Sequence, residues 1–230
     1  MLKWLGLGGL ATMAGMMTTS AKAGNRYYNG PVSDHFDGRT FFNPDGVEPG
    51  GFADLMRWQF GETKARWPDA FPSPFANAVP EPRIDGGSMR VTMIGHATML
   101  IQVAGLNILT DPVFSNRASP FQFAGPSRVN PPGIAFEALP KIDLVLLSHN
   151  HYDHLDLASL ARLKAEHDPL VVTPLGNDTI VHTDVPGMRM HVQDWGDSLQ
   201  LGPQPSIVNL RITGRHAACA TGAWRCGQPS

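Results

Sequence analysis

The segment Ser148-His149-Asn150-His151-Tyr152-Asp153-His154-Leu155-Asp156 places three histidines and two carboxylates within eight residues. Neutral imidazole and carboxylate are the usual protein ligands of borderline divalent ions such as zinc. His149 and His151 alternate as residues do along one side of an extended segment, so both can reach one ion. Asp153 and His154, on the following turn, point slightly aside and suit a second ion about 3.5–4 Å away, the spacing of two-metal hydrolytic sites. A cluster of solvated loop histidines, or a single structural clip, is the plainer alternative. It suits a lone histidine better than three histidines and an aspartate at this spacing.

The elements around this segment hold it at both ends. Residues 142–147, Ile-Asp-Leu-Val-Leu-Leu, form an apolar run of the kind buried on both faces of a sheet. A helix is predicted to start with Asp156 as N-cap, to place Leu157, Leu160, Ala161 and Lys164 on one face, and to end near Asp168-Pro169. The donors therefore lie on a tight strand-to-helix loop.

The pattern His149-x-His151-x-Asp153-His154 resembles the signature of the metallo-β-lactamase superfamily. The likeness extends to Ile94-Gly95-His96-Ala97-Thr98, to residues 109–115 (Leu-Thr-Asp-Pro-Val-Phe-Ser), to Arg117-Ala118-Ser119-Pro120, to Gly125-Pro126 and to residues 139–143. These resemble the branch that contains N-acyl-phosphatidylethanolamine phospholipase D and bacterial zinc-dependent hydrolases. The resemblance implies an α/β fold, the αβ/βα metallo-β-lactamase sandwich, here largely its N-terminal half. It also implies one or two zinc ions, with manganese or iron as alternatives, held by His149, His151, Asp153 and His154. Asp153 would be the catalytic residue that helps orient an attacking water. Asp111, before Pro112, would brace the metal loop by hydrogen bonds, with an ordinary turn aspartate as the alternative. His96 is read as a second hydrogen-bonding partner near the floor of the site, or else as a satisfied core histidine. The implied activity is metal-dependent hydrolysis, as a phosphodiesterase of phospholipase D type acting on N-acyl-phosphatidylethanolamine-like lipids. A lactonase or ester hydrolase sharing the loop, and a non-catalytic metal-binding remnant, are the other readings.

Composition agrees with a globular enzyme: 42% of residues are hydrophobic and 17% charged. A formal net charge of −2 gives no electrostatic case for nucleic acid, so the expected partner is a small-molecule or phospholipid substrate. At the start, Lys3 precedes an apolar stretch from Trp4 to Met17, and Ala21-Lys22-Ala23 follows. That is the layout of a secretory signal cleaved after Ala23, which makes the mature protein secreted or periplasmic. An uncleaved membrane anchor is the alternative, although the apolar run is shorter than the roughly 20 residues a spanning helix needs.

Residues 24–50 read as an extended arm carrying Tyr27, Tyr28, Phe36, Phe41 and Phe42. Phe52, Leu55, Met56, Phe60 and Trp67 then recur at helical spacing. This stripe is expected to pack on the protein's own core, with peripheral contact to a lipid surface as the alternative. Proline-rich residues 71–82 form a connector. From Met89 an antiparallel meander is predicted over Met89 to Met93, Met99 to Val103 and Leu106 to Thr110. Leu170 to Thr173 follows the helix as a buried strand, and Met188 to Val192, Ser198 to Leu201 and Ile207 to Ile212 are expected to extend the sheet.

The tail breaks the pattern. From Thr213 to Ser230 there is no helical or strand period, and His216 stands where the resemblance implies a third histidine ligand, but among unmatched neighbours. A bridging aspartate and a final histidine, also implied, do not follow. A shifted reading frame would account for this, since Ala220-Thr221-Gly222-Ala223 can be encoded by bases that spell His-Trp-Ser in another frame. A genuine tail with a Cys219–Cys226 disulfide is the alternative. The expected organisation is thus residues 1–23 as signal peptide, 24–88 as N-terminal arm and helix, 89–212 as an incomplete metallo-β-lactamase-like domain, and 213–230 as an atypical tail. Weak metal binding and little turnover are the expectation for such a chain.

Overall fold

Alternation of apolar residues along short strands dictates a sheet with two distinct faces, and the computed structural model of the protein shows one. It describes residues 25–44, 52–61, 68–73, 78–119, 123, 125–201 and 208–211. The expected signal segment, Trp67, His216 and both cysteines lie outside the described residues.

Strands β1 (Met89–Gly95), β2 (Thr98–Val103), β3 (Leu106–Thr110), β4 (Leu144–Leu146), β5 (Leu170–Pro174) and β6 (Arg189–Gln193) form one sheet in sequence order. The first three are antiparallel, while β3 to β6 run parallel. Parallel neighbours need crossover connections. Helix α2 (Leu157–Glu166) links β4 to β5, and α3 (Asn177–Asp184) links β5 to β6. The β3 to β4 crossover is a long loop with one 3-10 turn at Phe136–Ala138.

Adjacent residues on the central strands part to opposite faces. Leu109, Val145 and Val171 join a core with Leu160 and Leu163 of α2 and Val181 of α3. Their neighbours Ile108, Leu144 and Val172 form a second cluster, on which Leu199 and Leu201 pack. These two leucines belong to β7 (Ser198–Leu201), which pairs with β8 (Val208–Arg211) in a separate two-stranded antiparallel sheet. The expectation that 198–212 would extend the main sheet is therefore corrected. An alternating strand can add to a sheet's edge or cover its face, and here Leu199 and Leu201 cover the face.

Two further differences are local. Helix α3 was not expected, because Asn177, Asp178 and Thr179 are poor helix formers; the β5 to β6 crossover requires it, and Val181 anchors it in the core. Asp156 does occupy the N-cap of α2 but makes no side-chain cap bond. Its buried carboxylate instead accepts hydrogen bonds from the Ser115 amide (2.9 Å), the Ser115 hydroxyl (2.9 Å) and the Ser159 hydroxyl (2.6 Å).

A partly buried polar net ties residues 81–83 to the sheet. Arg83 donates both terminal nitrogens to Asp143, Asn107 donates to the Pro82 and Lys141 carbonyls, and Gln102 donates to the Glu81 carbonyl. All of this lies in a unit spanning residues 65–218. The described part of the other unit is residues 25–44 and 52–61. There Phe36 and Phe41 pair with rings 4.6 Å apart, so the arm turns back on itself rather than staying extended. Helix α1 (Phe52–Phe60) is shorter than the predicted stripe and leaves Phe60 72% exposed. No described helix is long and apolar enough to cross a membrane.

Candidate metal centre

Four donors come from the loop after β4, at the carboxyl ends of the parallel strands, where open α/β sheets place their ligand sites. Their frame starts one strand away. Asp111 directly follows β3 with φ +34, a backbone conformation uncommon for residues with a Cβ, and its amide donates to the Leu146 carbonyl at 2.9 Å. That turn aims the carboxylate at the loop. Oδ1 accepts the Ser148 amide at 2.7 Å, and Oδ2 accepts the Ser148 hydroxyl at 2.7 Å and the His154 ring at Nδ1 at 2.9 Å.

These bonds set tautomers. With His154 Nδ1–H given to Asp111, its Nε2 is the nitrogen left for a ligand. The Ser148 hydroxyl has given its proton to Asp111, so its oxygen accepts from His149 Nδ1, 2.9 Å away. That assigns His149 Nε2 as a lone-pair donor too. The His149 ring centroid lies 4.6 Å from that of His151 and 4.1 Å from that of His154, so the three imidazoles form one cluster. Ser148, adjacent to the first histidine, carries a positioning part that residue-type reasoning missed. A hydroxyl directly before a ligand histidine was the available signal.

His96 arrives from the β1–β2 turn. Its Nε2 lies 3.0 Å from Asp153 Oδ2, and His154 Nε2 lies 3.6 Å from the same oxygen. The structure thus brings together all six residues singled out from sequence: His149, His151, Asp153 and His154 with Asp111 and His96. Among the described residues, His96, Asp153 and His154 offer ligand atoms that all lie within 4.8 Å of one another.

Electrostatics divides the histidines. Burial, and then the charges of His154 and His151, push the His149 imidazole down to about 4 against the pull of Asp111 and Asp153. Burial likewise lowers His151. Burial also disfavours a charged His154, but its hydrogen bond to Asp111 and the charges of Asp111 and Asp153 outweigh that, so its pKa is raised. At neutral pH His149 and His151 are therefore uncharged, the state a metal ligand needs. Neutral imidazoles, one carboxylate and a braced loop fit a divalent ion.

A family model described as the beta-lactamase superfamily domain matches residues 106–224, which include β3, Asp111 and the whole donor loop. The chain belongs to the metallo-β-lactamase superfamily. Among curated relatives, this superfamily member is 35% identical over 151 residues to an uncharacterized protein of Mycobacterium tuberculosis, a match covering 64% of this chain and 40% of the relative. It is 47% identical over 72 residues to N-acyl-phosphatidylethanolamine-hydrolyzing phospholipase D 1 of Caenorhabditis elegans, covering 31% of this chain and 20% of that enzyme. A metal-dependent hydrolase of Anaeromyxobacter sp. (strain K) is 38% identical over 84 residues, covering 36% of this chain and 27% of the relative. The chain thus spans 40% or less of the length of these relatives.

Proposed function

We propose that this protein is a metal-dependent hydrolase whose substrate is the phosphodiester of an N-acyl-phosphatidylethanolamine-like lipid. The observation that carries the reading is the assembly of His149, His151, Asp153 and His154 on one loop, with Asp111 fixing both the loop and the His154 tautomer. The phosphodiester assignment leans on the 47% identical stretch shared with the nematode phospholipase D.

A divalent ion at this centre would supply a Lewis acid for a phosphoryl oxygen and ease deprotonation of water at neutral pH. His149 and His151 would hold one ion, and Asp153 and His154 a second where two are bound, the histidines through ring-nitrogen lone pairs. Zinc is the default for such a donor set, with manganese and iron also suited to it. Asp153 is the cluster carboxylate whose oxygen faces His96 and His154 rather than the backbone, and it can help orient an attacking water. Export after Ala23 would place the protein outside the cytoplasm, where the substrate would be a lipid at a membrane surface, met by peripheral contact.

The test is hydrolysis of N-acyl-phosphatidylethanolamine in mixed micelles, with a lactone and a carboxylic ester as comparators. Release of phosphatidic acid and N-acylethanolamine, slow for this chain and lost on chelation and in His149→Ala and Asp153→Ala, is the expected result. Bound metal without turnover of any of the three substrates would sink the catalytic reading and leave a metal-binding protein. Turnover of the lactone or ester alone would move the substrate class.

A further inference from the structure

Asp156 stands at the N-cap of α2, yet it makes no side-chain cap bond to the free amides of its own helix. Its carboxylate is turned toward another part of the chain. Oδ2 accepts the Ser115 amide at 2.9 Å, the Phe114 amide at 3.2 Å and the Ser159 hydroxyl at 2.6 Å, and Oδ1 accepts the Ser115 hydroxyl at 2.9 Å. An aspartate that forgoes the cap bond usual at this position, and that is only 9% exposed, is holding two segments together.

The second segment is the one that carries Asp111. Asp111 grips the donor loop through Ser148 and His154. Three and four residues further along the chain, Phe114 and Ser115 are gripped in return by Asp156, two residues after His154. Segments 111–115 and 148–156 are therefore cross-linked by a carboxylate from each. We propose that Asp156 is a positioning residue for the metal centre, fixing Asp153 and His154 from the C-terminal side of the loop while Asp111 fixes them from β3. The proposal rests on the metal-centre reading and adds to it a second carboxylate brace.

The segment that Asp156 grips is itself held in place. The Thr98 hydroxyl of β2 donates to the Asp111 carbonyl at 2.7 Å and accepts the Val113 amide at 3.1 Å. Arg128 Nη2 donates to the Val113 carbonyl at 2.7 Å, and the charges of Arg128 and Asp156 attract one another, which offsets the cost of a buried carboxylate. Leu155, between His154 and Asp156, also anchors the loop by packing in the core. Apolar packing has no preferred direction, whereas hydrogen bonds prefer near-linear geometry. The angle at which the chain leaves His154 is thus set by the bonds to Asp156.

Cobalt(II) titration of the metal-depleted full chain tests this, read by ligand-field absorption and by metal content after equilibrium dialysis. Wild type is compared with Asp156→Ala, Asp156→Asn and Leu160→Ala. Alanine removes all four accepted bonds and should weaken cobalt binding about 100-fold and alter the spectrum. Asparagine keeps one carbonyl oxygen for the three donors on Oδ2 and should weaken it about tenfold, both within the range found when a partner behind the metal ligands is lost. Leu160 faces the core from the same helix and has no part in the cross-link, so Leu160→Ala should melt earlier yet keep the wild-type affinity and spectrum. Unchanged affinity and spectrum in Asp156→Ala would overturn the proposal and leave the metal centre standing. If that variant does not fold, the same result in Asp156→Asn overturns it. An equal loss of affinity in Leu160→Ala would also overturn it, by showing that affinity follows stability alone. No uptake by wild type would overturn both the proposal and the metal-centre reading.

Discussion

The two halves of the main sheet treat their outer face in opposite ways. Over β3 to β5 that face is covered, because Leu199 and Leu201 of β7 lie on Ile108, Leu144 and Val172. Over β1 it is bare: Met89, Val91 and Met93 are 66%, 51% and 62% exposed on the side continuous with Ile101 and Val103. The parallel half is held by burial on both faces, as parallel strands usually are. The antiparallel half relies on side-chain straps instead, through Thr98, Gln102, Asn107 and Thr110. The metal centre takes parts from each, its donor loop from the buried half and Asp111 and His96 from the strapped half. Rigidity at a site can thus come from packing or from hydrogen bonds, and this site uses one for its ligands and the other for its braces.

The largest effect should come from the buried half. Leu160 of α2 is fully enclosed, and Leu160→Ala should lower unfolding free energy by about 2–5 kcal/mol, measured by urea titration. A cost near that of a surface change would mean the core on that face is not formed. Next is the brace. Asp111→Asn replaces a carboxylate that accepts three donors, and metal affinity should fall about 10–100-fold by dialysis while the fold is kept. If affinity is unmoved, the strapped half does not position the donors.

Acid and base should separate two histidines of the same loop. His149 is held at about 4 in the fold against 6.5 ordinarily, so as pH falls from 6.5 toward 4 the unfolded chain takes up that proton first and the metal-free protein loses stability. His154 runs the other way: its raised pKa contributes stability below 6.5 that is lost as pH rises through the folded value. Melting temperatures across pH should show His149→Ala flattening the acid limb and Asp111→Asn flattening the limb above 6.5. Identical profiles in all three proteins would contradict the electrostatic division of the loop. The smallest effect belongs to the bare face, where Met93→Lys should change stability by no more than about 0.5 kcal/mol. A much larger loss would show that the face is covered in solution.

How much of this could be read from residue order varies with the distance over which each feature is determined. The meander over β1 to β3 and the strand at Leu170 were legible because alternation and the Ala104-Gly105 turn are local signals. Helix α3 was not, since Asn177, Asp178 and Thr179 carry weak helical preference and only the parallel pairing of β5 with β6 calls for a crossover there. The alternation of Ser198-Leu199-Gln200-Leu201 identified a one-sided strand, but whether it joins the edge or covers the face depends on where apolar surface was left open.

The donor set itself belongs to the sequence. The spacing His149-x-His151-x-Asp153-His154 puts the ligands on one loop whatever surrounds it, because a few bonds link them. Asp111 and His96 reach that loop only because β1, β2 and β3 pair in one register and β3 then docks parallel to β4. Contacts 43 and 57 residues apart in the chain are set by strand pairing and not by local spacing, so tertiary structure alone decided them.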